Sequence, residues 1–154
     1  MDVRIVERAA IRCFGVRHLG PYAQIPQAFQ KLDSLVHRAG LVGRPGSLLI
    51  AIYHDDPLAT PAAELRSDAA ISVAEDAALP AGLVEQRLPP ARYATTTFVG
   101  PYERLGNAWS RLKGEWLSKS GERAGTSPSY EIYRNTPADV PQEKLVTELY
   151  LPLT

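Results

Sequence analysis

Gly20-Pro21-Tyr22 returns eighty residues later as Gly100-Pro101-Tyr102, and the reading of these two stretches decides the fold. At the same offset Ile52-Tyr53 returns as Ile132-Tyr133, Pro57 as Pro137, Pro61 as Pro141 and Leu65 as Leu145. Laid over 83–153 without a gap, 3–73 matches at 12 of 71 positions. The register is constant, and the residues that recur are turn formers and core hydrophobes. One supersecondary unit used twice is implied, with a pseudo-twofold relation and a seam between copies. Positions where the copies differ then carry the functional information.

Working outward from Gly20-Pro21, the glycine permits a sharp turn and the proline suits a helix start, where its missing N–H goes unmissed. Before it, 3–7 and 11–19 read as strands. After it, Ile25, Ala28, Phe29, Leu32, Leu35, Val36 and Ala39 recur every three or four residues, an amphipathic stripe that Gly40 stops. Strands follow at 48–53 and 67–73, with a short helical turn at 61–64 between them. The second copy repeats the plan: strands at 85–88 and 92–99, a helical stripe of Leu105, Trp109, Leu112 and Trp116, a loop at 121–127, and strands at 130–133 and 144–151. The expected fold is α+β: two ββαββ repeats related by pseudo-twofold symmetry, an eight-stranded antiparallel sheet with hairpins inside each half, and two main helices on one face. The repeats are placed at 1–75 and 83–154, with 76–82, broken by Pro80 and Gly82, as the joint.

Composition narrows the function classes. The chain has 154 residues, 17 basic and 17 acidic side chains, and no Lys/Arg-rich run, so the electrostatic footprint of a nucleic-acid binder is missing. No apolar run approaches the roughly 20 residues of a membrane span, and the first residues alternate like a strand rather than forming a signal sequence. A single cysteine, Cys13, excludes an intrachain disulfide framework and fits a reducing compartment. The expected location is the cytoplasm. His18, His37 and His54 lack metal-ligand spacing, so neither metal nor cofactor is expected. His54-Asp55-Asp56 before Pro57 reads as a turn. Phosphate-binding glycine loops and nucleophile elbows are absent from the sequence. Cys13, beside Phe14 in a strand, reads as core.

The Gly-Pro-Tyr before each helix, Ile-Tyr-His-Asp-Asp-Pro at 52–57, Leu-Arg-Ser-Asp at 65–68 and Tyr-Glu-Ile-Tyr at 130–133, in this order and spacing, resemble the GyrI-like small-molecule-binding family over nearly the whole chain. The resemblance implies a single 1–154 domain of duplicated ββαββ, SHS2-type fold, with a ligand groove between the copies. It also implies kinship with the effector domains of multidrug-responsive transcription activators, with a free-standing gyrase-modulating protein, and with hydrolases that open reactive cyclopropane rings. In such pockets an acidic strand residue ringed by aromatics receives cationic aromatic ligands, and Glu131 is the matching position. The first strand starts at residue 3 with no helix-turn-helix before it, so a stand-alone copy is expected.

Glu131 also stands out without the resemblance, because its repeat partner is Ala51 and the strand around it is apolar. A buried carboxylate is costly unless paired. It is therefore kept for a ligand, paired with Arg92 or Arg134, or turned to solvent. Alternation puts Tyr133 on its face, and Tyr53 on the corresponding face of the first copy. Two tyrosines flanking one carboxylate suit a flat cation, each ring face contributing on the order of 0.5–2 kcal/mol; they also suit a plain half-buried sheet. Trp109 replaces Phe29, and Trp116 replaces Val36. Trp109 reads equally as a wall of the groove or as core, Trp116 as core, Tyr22 and Tyr102 as packing at the start of each helix, and Tyr93 as a further wall. The expected partner is a small hydrophobic or cationic aromatic molecule held by Glu131, Tyr133, Tyr53, Trp109, Phe29 and Tyr93. The alternatives are a hydrolase with Glu131 as general base and a protein-interaction module acting on a topoisomerase.

Overall fold

Gly20 and Gly100 take φ values of 128° and 147°, which side chains with a Cβ rarely adopt. Each ends a nine-residue strand and hands the chain, through Pro21 or Pro101, to a short 3₁₀ turn that leads into a helix. Pro26 opens the first of these helices at its first position. The structure is a computed structural model, and it describes residues 1–41 and 44–154.

The elements are β1 (Arg4–Arg8), β2 (Ile11–Leu19), α1 (Pro26–Arg38), β3 (Leu49–Tyr53), β4 (Arg66–Ser72), β5 (Val84–Leu88), β6 (Ala91–Val99), α2 (Leu105–Ser110), α3 (Leu117–Ser120), β7 (Ser129–Tyr133) and β8 (Val146–Leu153). Every strand of the second copy begins 80 residues after its counterpart, and so do the 3₁₀ turns Ala62–Glu64 and Gln142–Lys144. The fold class is α+β, with eight strands and two main helices among the described residues. The second helix is not uniform: α2 and α3 are joined by a π-helical stretch, Arg111–Trp116, where the helix widens for about one turn.

The chain forms two compact units, one of Met1–Ala9 with Pro90–Thr154, the other of Ala10–Pro89. The strand order is β1-β6-β8-β7 in the first and β3-β4-β2-β5 in the second, with antiparallel pairing throughout. Each unit therefore borrows its edge strand: β1 pairs with β6, and β5 with β2. The expectation of hairpins inside each half holds for β3–β4 and β7–β8 and fails for the first two strands of each copy. The connections explain why. A two-residue hairpin needs positive φ in its loop, whereas Ala9-Ala10 and Pro89-Pro90 join these strands, and only glycines have positive φ among the described residues.

In the Ala10–Pro89 unit, α1 buries Ala28, Leu32 and Val36 and packs over β2 and β4. In the other unit the core gathers Ala94, Leu105, Ala108, Leu112, Leu149, Leu151 and Leu153, with Phe98, Trp109, Trp116, Leu117, Tyr133 and Val3 against it. Full burial of one such leucine contributes about 1.5–3 kcal/mol. Alternation then assigns the faces: Thr147, Leu149, Leu151 and Leu153 of β8 look toward the helix, Glu148 and Tyr150 away from it.

Candidate functional site

Glu131 lies in the middle of β7, opposite Leu149, and Tyr133 lies opposite Thr147, so all four side chains occupy the helix-covered face. Glu131 is 1% exposed. The Tyr133 hydroxyl donates to its Oε1 over 3.3 Å. The Tyr133 ring meets Tyr102 edge to face, with centroids 5.5 Å apart and planes at 67°. Tyr102, delivered by the repeated Gly-Pro-Tyr turn, is 37% exposed and gives the cluster a rim reachable from solvent. Its phenol is pushed above the ordinary value first by burial and then by the negative charge of Glu131, so the carboxylate field reaches it. Trp109 packs from α2 onto the core that also receives Tyr133, and the Lys113 ammonium sits 5.3 Å from the centroid of its ring. The structure thus brings together Glu131, Tyr133 and Tyr102 in one unit, with Trp109 on the same core.

The two arginines weighed as partners of Glu131 have other carboxylates. Arg92 bonds Glu122 at 3.2–3.3 Å and the Thr154 carbonyl. Arg134 forms a two-pronged pair with Glu148 at 2.8 and 2.9 Å.

The other unit carries the same aromatic pair without the carboxylate. Tyr53 meets Tyr22 at 4.7 Å between centroids, and Ala51 stands where Glu131 does, 0% exposed. There the Tyr22 hydroxyl is fixed, donating to the Asp55 carbonyl at 2.6 Å and accepting from the Asp55 N–H at 3.0 Å. Phe29 is half-buried on α1. Tyr93 faces away from Glu131: it pairs with Pro152 across the strands and packs against Tyr130 and Tyr150, centroids 5.1 and 6.1 Å away. That cluster is closed by the stacked Tyr130–Tyr150 pair at 4.6 Å and by the Arg8 guanidinium over Tyr150. A surface depression of about 250 Å³ beside Arg111, Glu115 and Trp116 touches none of the Glu131 cluster.

Sequence reading missed a second polar cluster. His54, taken for part of a turn, pairs through Nε2 with Asp68, which also accepts from Arg17 Nε at 2.8 Å and from Gln86 Nε2 at 2.6 Å. The signal was present in the repeat. Positions 68 and 148 are both acidic, positions 54 and 134 both basic, and both pairs form.

A buried strand carboxylate beside a phenol hydroxyl can do two things chemically. It can hold a cation by charge and ring quadrupoles, or it can accept a proton as a general base. Among the described residues no group of three or more His, Cys, Asp or Glu is placed to hold a metal, and no helix is long and apolar enough to cross a membrane.

Comparison with known proteins gives three concordant results. The family model described as GyrI-like small molecule binding domain matches residues 1–154. A DNA gyrase inhibitor of Yersinia enterocolitica is 33% identical over 140 residues, covering 88% of this chain and 87% of that protein. Among solved structures, the EcmrR C-terminal domain superposes with a TM-score of 0.77 at 18% identity, covering 99% of this chain and 97% of the other. In its DNA complex the longer EcmrR chain is spanned over 57% of its length, with a TM-score of 0.79. SAV2435, solved bound to tetraphenylphosphonium, gives 0.70 at 13% identity, over 100% of this chain and 94% of that one.

Proposed function

Because the chain belongs to the GyrI-like small-molecule-binding family, we propose that it binds a hydrophobic aromatic cation at Glu131. The observation that carries this reading is a carboxylate 1% exposed, in the strand position where the other copy has Ala51, bonded by the Tyr133 hydroxyl, with the Tyr102 ring against Tyr133. A negative charge in a low-dielectric surround attracts a cation far more strongly than the same charge in water. Tyr133 and Tyr102 supply π faces that add to the attraction and select apolar aromatic cations over hydrated metal ions. Trp109 forms the helix-side wall. That a protein of the same fold was solved with a lipophilic cation supports the choice of ligand class.

Titration of tetraphenylphosphonium into the wild-type chain and Glu131→Gln tests this. Loss of the charge is expected to weaken binding at least tenfold, roughly 1.4 kcal/mol or more. Equal affinity in the two proteins rejects the charge-recognition reading.

A second reading is favoured by the relatives named DNA gyrase inhibitor at about one-third identity. In it the domain acts on gyrase, and a bound small molecule modulates that action. A supercoiling assay with purified gyrase decides it: undiminished supercoiling at a large excess of this protein rejects the reading.

A further inference from the structure

Two hydroxyl groups are buried without a hydrogen-bond partner at the same register of the two units. Ser67 stands on β4 opposite Tyr53, and Thr147 stands 80 residues later on β8 opposite Tyr133. Both are 0% exposed. A buried hydroxyl without a partner is disfavoured, and valine or alanine of nearly the same shape would remove the penalty. The chain nevertheless keeps an oxygen at both positions, though the residue type differs. The buried hydroxyls of Tyr93 and Tyr130 are a different case. They lie inside the closed cluster on the opposite face, and their repeat counterparts are Cys13 and Ile50.

Of the two, Thr147 alone has a carboxylate as its diagonal neighbour on the same face. Glu131 is opposite Leu149, one diagonal step along β8 from Thr147, a separation of roughly 7–8 Å. In the other unit the same diagonal leads from Ser67 to Ala51. The lateral neighbours differ as well: Phe98 flanks Thr147 on β6, where His18 flanks Ser67 on β2. Thr147 is thus a buried hydroxyl on the same face as Glu131, one diagonal pair from it, flanked by Phe98 and Tyr133.

Resting on the reading of Glu131 as the cation site, we propose that Thr147 is a specificity-determining residue whose hydroxyl oxygen accepts a hydrogen bond from the ligand. The ligand class is a protonated aromatic amine carrying a second N–H donor besides the group that meets Glu131. A cation with only hydrocarbon on its surface leaves Thr147 without a partner and gains nothing from it.

The test compares two probes, proflavine, which bears ring amino groups, and tetraphenylphosphonium, which bears no donor. Each is titrated into the wild-type chain, Thr147→Val, Thr147→Ser and Glu131→Gln. Thr147→Val is expected to weaken proflavine about tenfold and to leave tetraphenylphosphonium within about twofold, while Thr147→Ser keeps the wild-type preference. A melting temperature of Thr147→Val at or above that of the wild type verifies the fold. If Glu131→Gln weakens both probes and Thr147→Val changes neither, or both equally, the cation site stands and the role of Thr147 is overturned. If Glu131→Gln changes neither probe, or the wild type binds neither, the cation reading fails and this inference fails with it.

Discussion

The Tyr133 hydroxyl donates to Oε1 of Glu131 along one face of one strand, over 3.3 Å. The same tyrosine turns its ring to Tyr102, so one residue contributes a donor to the carboxylate and a π face to whatever meets it. Substitution separates these contributions. Tyr133→Phe is expected to lower stability by about 1 kcal/mol, the typical net value of one hydrogen bond, and to hold tetraphenylphosphonium affinity within about threefold. Tyr133→Leu removes the ring and is expected to weaken the cation roughly threefold to tenfold. Calorimetric titration and urea melts measure both, and wild-type binding by the leucine variant would take the ring out of the site.

Asp68, 2% exposed, ties together three strands and the residue that follows a fourth: itself on β4, Arg17 on β2, Gln86 on β5, and His54 just after β3. Asp68→Asn removes the charge that these donors share. The expected loss is about 2–3 kcal/mol, below the upper range for buried pairs because the Arg17 side chain is 43% exposed. Gln86 belongs to the borrowed edge strand, so β5 amides should lose hydrogen-exchange protection before those of β2 and β4. Uniform loss across the unit would argue against Asp68 as the fastening of that strand.

Burial pushes the Glu148 carboxyl up, but hydrogen bonds from Arg134 and Tyr150 outweigh it and leave its pKa below the ordinary glutamate value. A carboxylate with a depressed folded-state pKa contributes stability that is complete above the unfolded value, about 4.3, and is lost as pH falls through the folded value. In the other unit Asp55, held low by Arg66, acts in the same direction. Urea midpoints should therefore be level in this respect from pH 7 to about 5 and decline below. Glu148→Gln should be about 1 kcal/mol less stable at pH 7, a small effect because Arg134 is 42% exposed. Its acid decline should be shallower, and an unchanged slope would remove Glu148 from the account.

Cys13 is 0% exposed, and burial, assisted by the Asp68 charge, raises its thiol to about 12. The thiolate is the reactive form. The native protein at pH 8 should leave a disulfide reagent unconsumed and react with one equivalent only after denaturation. Rapid native labelling would show that this strand opens readily.

The candidate site was legible where the two copies could be compared. Glu131 emerged because Ala51 supplied its reference, and the structure finds it buried in the middle of the strand. Tyr102, read as packing at the helix start, turned out to share its ring contact with Tyr133. Whether a tyrosine of β6 meets β7 on the helix face depends on register, which puts Tyr93 opposite Pro152 and away from Glu131. A one-residue change of register would have reversed that face, and nothing local in 91–99 specifies it.

By itself the sequence determined the repeated order of elements, because that order rests on local physics: glycine and proline at turns, alternation in strands, a 3.6-residue stripe in α1. The tertiary structure decided which strands pair. β1 joins β6 and β5 joins β2 because Ala9-Ala10 and Pro89-Pro90 do not make a hairpin turn, and the backbone groups of the first strands are satisfied far along the chain. It also decided that His54 meets Asp68 and that Tyr133 meets Glu131. Hydrogen bonds of this kind depend on faces and registers that exist only once the sheets have formed.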